Sequence, residues 1–252
     1  MEKMLGILAG IGAVILIGGL LVLTIAFTGN PISRLLATRA GDRYIRENYP
    51  DLKLEREKSY YNFKDGNYGV KYIDRKSKDI HFTIGTDYLG RITRDGYKED
   101  VLSLWNTRLR LEDEYSHYVE KIIKDNLDYQ FEMILPSSFA HDKDEGISNL
   151  QVDMVFDLKN IPFEQELTLY IIEENRTWDR LAEIILQVDE LVEREDLHPS
   201  RYTLVLMEAR DEESKVRDSI GVYYFPREDL KQENLPKALE KSFHEFNQNG
   251  KY

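Results

Sequence analysis

No cysteine occurs anywhere in the 252 residues. That absence rules out disulfides, lipidation at a processed cysteine and most zinc motifs. The five histidines, His81, His117, His141, His198 and His244, never fall at HExxH or HxxxH spacing. No GxGxxG or GxxxxGK[ST] loop is present to cradle a phosphate chain. The GxSxG elbow and the SxxK pair of serine hydrolases are missing too. Positive charge is not in excess: the formal net charge is −12. All of that excess lies beyond residue 127, where 14 Lys and Arg face 28 Asp and Glu. A nucleic-acid binder needs a basic footprint, so we expect no nucleic-acid partner. There is no internal repeat and no low-complexity segment.

What the chain does have is one long uncharged run, Leu5 to Phe27. As a helix this run is about 35 Å long, enough to cross the ~30 Å hydrocarbon layer of a bilayer. A cleaved signal peptide has a shorter apolar core and a small-x-small cleavage site. Here the only such triplet is Thr24-Ile25-Ala26. We therefore read 5–27 as an uncleaved span whose partner is membrane lipid. Gly6-x-x-x-Gly10 and Ala9-x-x-x-Ala13 are the small-residue spacing that lets two spans pack, although glycine is common in such helices in any case.

Two arguments bear on orientation. Arg34, Arg39, Arg43 and Arg46 follow the span, and by the positive-inside rule they favour a body inside the cell. A four-residue tail before a single span favours a body outside, and those arginines fall in a segment expected to fold as a helix. We place the body outside the cytoplasm and keep a cytoplasm-facing scaffold as the alternative.

The rest of the chain, 42% of it hydrophobic overall and 11% aromatic, suits globular α+β domains rather than a disordered tail. We expect an anchor over 1–30, a helix, three-stranded meander and long-helix module over 31–127, and an acidic α+β domain over 128–252. Thr28-Gly29-Asn30-Pro31 breaks the anchor. A helix is expected over 32–47. Strand runs are expected around Leu52 to Phe63, Tyr68 to Tyr72 and Ile80 to Ile84, in an antiparallel meander. From Lys98 to Leu127 the spacing of Val101, Trp105, Leu109, Tyr115, Val119 and Ile122 predicts a helix that closes the first domain. Alternation predicts strands at Tyr129–Met133, Val152–Phe156 and Leu167–Ile171, with an exposed loop over 136–148. Trp178, Leu181, Ile185, Val188 and Val192 form the clearest helical stripe, with Glu183, Asp189, Glu190 and Glu193 opposite. Strands near 202–207 and 220–225 and a helix over 235–246 complete the domain.

Tyr44-Ile45, Tyr49-Pro50-Asp51, Tyr68-Gly69-Val70-Lys71-Tyr72 and Gly85-Thr86-Asp87-Tyr88-Leu89-Gly90 give the membrane-proximal part a pattern similar to PepSY-type modules. That likeness implies an extracytoplasmic module linked to protease regulation or envelope sensing. The whole plan resembles the YfjL-like membrane proteins of Gram-positive bacteria, which lends location and architecture but no chemistry.

Local chemistry is sparse. Asp142-Lys143-Asp144-Glu145-Gly146 resembles a calcium loop but departs from EF-hand spacing, and we read it as a solvated loop. Ser137 and Ser138 beside His141 are the one serine–histidine cluster. Asn175-Arg176-Thr177 is a glycosylation sequon whose simpler role is to start a helix. The 16 tyrosines suit both sheets and recognition surfaces. No catalytic, cofactor-binding or metal-ligating residue is assigned. The expected function is a membrane-anchored, non-catalytic envelope protein that binds a protein or senses the wall. An envelope hydrolase with a site built without a motif is the alternative.

Overall fold

The computed structural model describes residues 2–139, 149–160, 164–209 and 218–249. Helix α1 (Glu2–Thr28) contains the apolar run. It is long and apolar enough to cross a membrane, and none of its described apolar window is buried in protein. Val14, Ile15, Leu16 and Ile17 are all exposed. A helix apolar on every side has no wet face to offer water, and lipid is the solvent that suits it. The body is thus membrane-anchored by one candidate transmembrane helix.

Two residues end the span and start the next helix. Gly29 takes φ +76°, and its N–H donates to Ile25 O at 2.9 Å, a left-handed cap that glycine adopts without strain. A Cβ on Gly29 would sit 2.6 Å from the Tyr61 ring. Asn30 then caps α2 (Pro31–Asn48), its side chain accepting from Ile32 N at 2.8 Å, with Pro31 in the first turn.

Helix α2 buries Ser33, Ala37, Gly41 and Ile45, one side chain per turn. These small residues let it lie close on an antiparallel sheet of β1 (Glu55–Arg56), β2 (Tyr60–Asn62), β3 (Asn67–Ile73), β4 (His81–Thr86) and β5 (Ile92–Asp95). The order is β1-β3-β4-β5, with β2 also pairing β3. Tyr68, Val70, Tyr72, Phe82 and Ile84 form the core with Ala37, Ile45 and Val101. The expected first run is two short strands, interrupted at Glu57-Lys58-Ser59. Strand β5 is an addition: its pattern is largely exposed and gives no alternation to read.

The expected helix from Lys98 is also divided. A π-type turn covers Tyr97–Leu102, and Leu104 takes φ 61° before α3 (Trp105–Asn126) begins. Trp105 and Leu109 are exposed, whereas Leu111, Tyr115, Val119 and Ile123 are buried. The last three belong to the core of the distal sheet. The chain divides into one unit of Met1–Thr107 with Gln151–Asp153 and a second of Arg108–Leu150 with Met154–Tyr252. Most of α3 thus belongs to the second unit, its buried stripe beginning at Leu111.

The second unit contains β6 (Gln130–Phe139), β7 (Glu164–Ile172), α4 (Trp178–Arg194), β8 (Pro199–Met207), β9 (Ser219–Pro226) and α5 (Leu235–Asn249). Their sheet order is β6-β7-β8-β9. The outer pairs are antiparallel, and the central β7–β8 pair is parallel, with α4 as the crossover. The α4 stripe packs as its periodicity predicts, with Leu181, Ile185, Val188 and Val192 buried against Leu169, Ile171, Leu204 and Leu206. No strand forms at Val152–Phe156. Asp153 takes φ 60°, which no strand tolerates, and Val155 is 81% exposed.

Candidate functional site

An open cleft of about 860 Å³ lies at one end of the distal sheet, lined by Glu164, Asp189, Glu193, Arg201, Arg227 and Lys231 among others. Its charged groups close on one another. Arg227 Nε meets Asp189 Oδ1 at 2.6 Å, and Arg227 Nη2 meets Glu193 Oε2 at 2.5 Å. Asp189 Oδ1 also accepts from the buried Tyr202 hydroxyl at 2.6 Å. Burial first, and then that hydrogen bond, pushes the Tyr202 phenol well above its ordinary pKa. Asp189, read from the sequence as part of α4's wet face, is therefore a half-buried tie between helix, strand and the turn after β9.

The cleft's serine bonds a carboxylate and no histidine among the described residues. Ser200 Oγ donates to Glu164 Oε1 at 2.7 Å, and Arg201 Nη2 lies 3.5 Å from the same oxygen. An activated nucleophile needs a base that is itself oriented by a third group. His198 is two residues away but exposed, and it pairs with Asp196 at 3.3 Å.

The other described histidines are dispersed. His81 is half-buried on β4, where its backbone carbonyl accepts from Asn106 at 2.6 Å. His117 pairs with Asp113 on the outside of α3 at 3.3 Å, and the Asp113 carbonyl and charge raise its pKa. His244 lies 4.0 Å from Glu240. His141 and the segment Asp142–Gly146 lie outside the described residues, so the serine–histidine cluster and the calcium-like loop do too. Ser137 pairs in register with Glu166 inside β6, in a stretch expected to be loop. Among the described residues no group of three His, Asp or Glu could hold a metal ion. Thr177 caps α4, accepting from Arg180 N, which is the simpler role read for the sequon.

Two polar clusters in the first unit had no sequence signal. Tyr44 and Tyr49 both donate to Asp95 Oδ2, at 3.1 and 2.6 Å, and the Tyr49 ring packs 4.5 Å from that of Tyr97. The Tyr49 phenol is pushed well above its usual pKa, by burial first and then by the Asp95 hydrogen bond. Asp79, buried, accepts from Thr107 Oγ1 and from Asp153 N, both at 2.7 Å. Asp153 in return accepts from Ser77 Oγ, Lys78 N and Asp79 N. Both clusters join residues far apart in the chain, so only the fold could reveal them.

Comparison with known proteins accounts for most of the chain. Residues 3–96 match the YfjL-like, N-terminal domain, and residues 114–240 match the YfjL-like C-terminal domain. No curated protein and no solved structure matches.

Proposed function

The chain belongs to the YfjL-like family, and on that premise we propose a membrane-anchored protein of a Gram-positive envelope that binds another protein and does no chemistry. The observation that carries this reading is the self-neutralised cleft: Arg227, Asp189 and Glu193 satisfy each other, leaving no convergent set poised for a substrate. Exposed apolar side chains on the distal sheet support this reading. Met133 and Leu135 share one face of β6, opposite Tyr170 and Thr168, and are 39% and 49% exposed. Exposed Met and aromatic side chains are favoured at protein interfaces.

The body is proposed to lie outside the cytoplasm. The short tail before the span and the PepSY-like sequence pattern around Tyr49-Pro50 favour that side. Two measurements test the proposal. The chain lacks cysteine, so Glu190→Cys on the exposed face of α4 supplies a single thiol. A membrane-impermeant maleimide should label it in intact cells, and labelling only after lysis would reverse the orientation. A photo-crosslinking residue at Leu135 should give one adduct of defined mass that Met133→Asp abolishes. If no adduct forms and the purified full chain cleaves envelope polymers, the hydrolase reading replaces this one.

A further inference from the structure

We infer that the foot of the span carries a phosphate-binding pocket, filled in the membrane by the headgroup of an anionic phospholipid. A hollow of about 480 Å³ opens where α1 ends, lined by Phe27, Thr28, Arg34, Lys58, Ser59 and Tyr60, with no acidic residue in its wall. Phe27 is the last residue of the apolar run. The hollow therefore sits where a spanning helix leaves hydrocarbon for headgroups, whichever way the protein faces.

Two cations, Arg34 and Lys58, face the hollow. Arg34 Nη2 donates to Thr28 O at 3.1 Å, which holds the guanidinium against the end of α1. Its Nε is buried and has no hydrogen-bond partner. A buried guanidinium N–H without an acceptor is unfavourable unless a ligand supplies one. Lys58 is exposed, and no ion pair forms to either cation among the described residues. Arg56 and Lys71 close by are each matched to a carboxylate, Asp42 and Glu57. A guanidinium and an ammonium beside hydroxyl groups match the charge and acceptor geometry of a phosphate.

The surroundings suit a lipid. Phe63 is 58% exposed and lies 6.3 Å from the Phe27 ring, and Tyr60 is 48% exposed. Aromatic rings at this depth form the belt that sits among headgroups and glycerol. The Tyr60 ring lies across Gly69 of β3, where a Cβ would stand 2.3 Å from it, so glycine at 69 lets the ring lie flat over the strand.

The test uses the full chain in detergent micelles, with native mass spectrometry counting bound molecules. Short-chain phosphatidylglycerol, short-chain phosphatidylcholine and inorganic phosphate are titrated separately. We expect one phosphatidylglycerol to bind, with affinity falling about fivefold in Lys58→Gln and more than tenfold when Arg34→Gln is added. Lys53→Gln, exposed elsewhere on the same unit, should change nothing. Phosphatidylglycerol binding that inorganic phosphate does not displace assigns the site to lipid. Binding of inorganic phosphate alone, lost in the same variants, keeps the anion pocket and assigns it to a soluble phosphate. Phosphatidylglycerol binding unchanged in Lys58→Gln and in the double variant overturns the inference, as does no binding of any probe. Lys58 is exposed and makes no side-chain hydrogen bond or ion pair among the described residues, so its variant stays interpretable if Arg34→Gln unfolds the junction.

Discussion

Tyr49 shows how a single side chain can fix an architecture. Its hydroxyl reaches Asp95, which also accepts from Tyr44 and from Tyr97 N. The carboxylate thus ties the end of α2 to the end of β5. Tyr49→Phe should lower stability by ~1 kcal/mol, read by urea denaturation of the full chain in micelles. Asp79→Ala should cost more, ~2–3 kcal/mol, because it leaves the Thr107 hydroxyl and the Asp153 N–H without their acceptor. The tyrosines also set an alkaline limit. Tyr49, Tyr72, Tyr115 and Tyr202 all have pKa values raised in the fold, with burial the leading cause. Unfolded tyrosine loses its proton near pH ~10. Below that pH the stabilisation is fully present, and it is lost as pH climbs above it towards the folded values. An absorbance titration should show these phenols ionising late and together with unfolding; their titration at ordinary pH in the folded state would refute this. The Tyr49-Pro50 pair was visible in the sequence as part of a familiar pattern. Its partner, 46 residues away, was not, because hydrogen bonding between distant residues leaves no periodicity.

Elements with one strong periodicity were legible from the chain alone. Helix α4 and strands β3, β4 and β7 each bury the side that their spacing predicts. The failures have local causes. Val152, Met154 and Phe156 alternate like a strand, but Asp153 takes a left-handed backbone so that its carboxylate can face Ser77 and Asp79. Trp105 and Leu109 mimic a helix stripe while remaining exposed. The end of α4 offers a test of backbone reasoning. Leu197 N bonds Val192 O and Asp196 N bonds Glu193 O, with Asp196 at φ 57° between them. This double bond pattern favours glycine at the turning residue. Asp196→Gly should therefore stabilise the protein by ~0.5–1 kcal/mol in thermal melts, despite losing exposed ion pairs to Lys159 and His198 that contribute little.

At the level of the whole molecule, the span was the plainest signal in the sequence and remains the surest statement about the protein's surroundings. A charge at its middle should undo it. Ile15→Arg with Ile17→Asp adds ~5 kcal/mol or more to the transfer of the helix into lipid. Most of the double variant should leave the pellet in alkaline carbonate extraction, where the parent chain stays behind. The two folded units were legible as two, and the chain crosses between them more than once. Three residues, Gln151–Asp153, belong with the first unit although the chain has already entered the second. The polypeptide therefore passes between the units at 107–108, 150–151 and 153–154. The family matches, each a continuous stretch, give no hint of this. Its consequence is hereditary: no single crossover between two such genes can exchange one unit without carrying part of the other. A recombinant joined anywhere from 108 to 150 takes its first unit from one parent and the Asp153 that completes it from the other. Such a recombinant draws Asp79 and Asp153, which bond each other, from different ancestors.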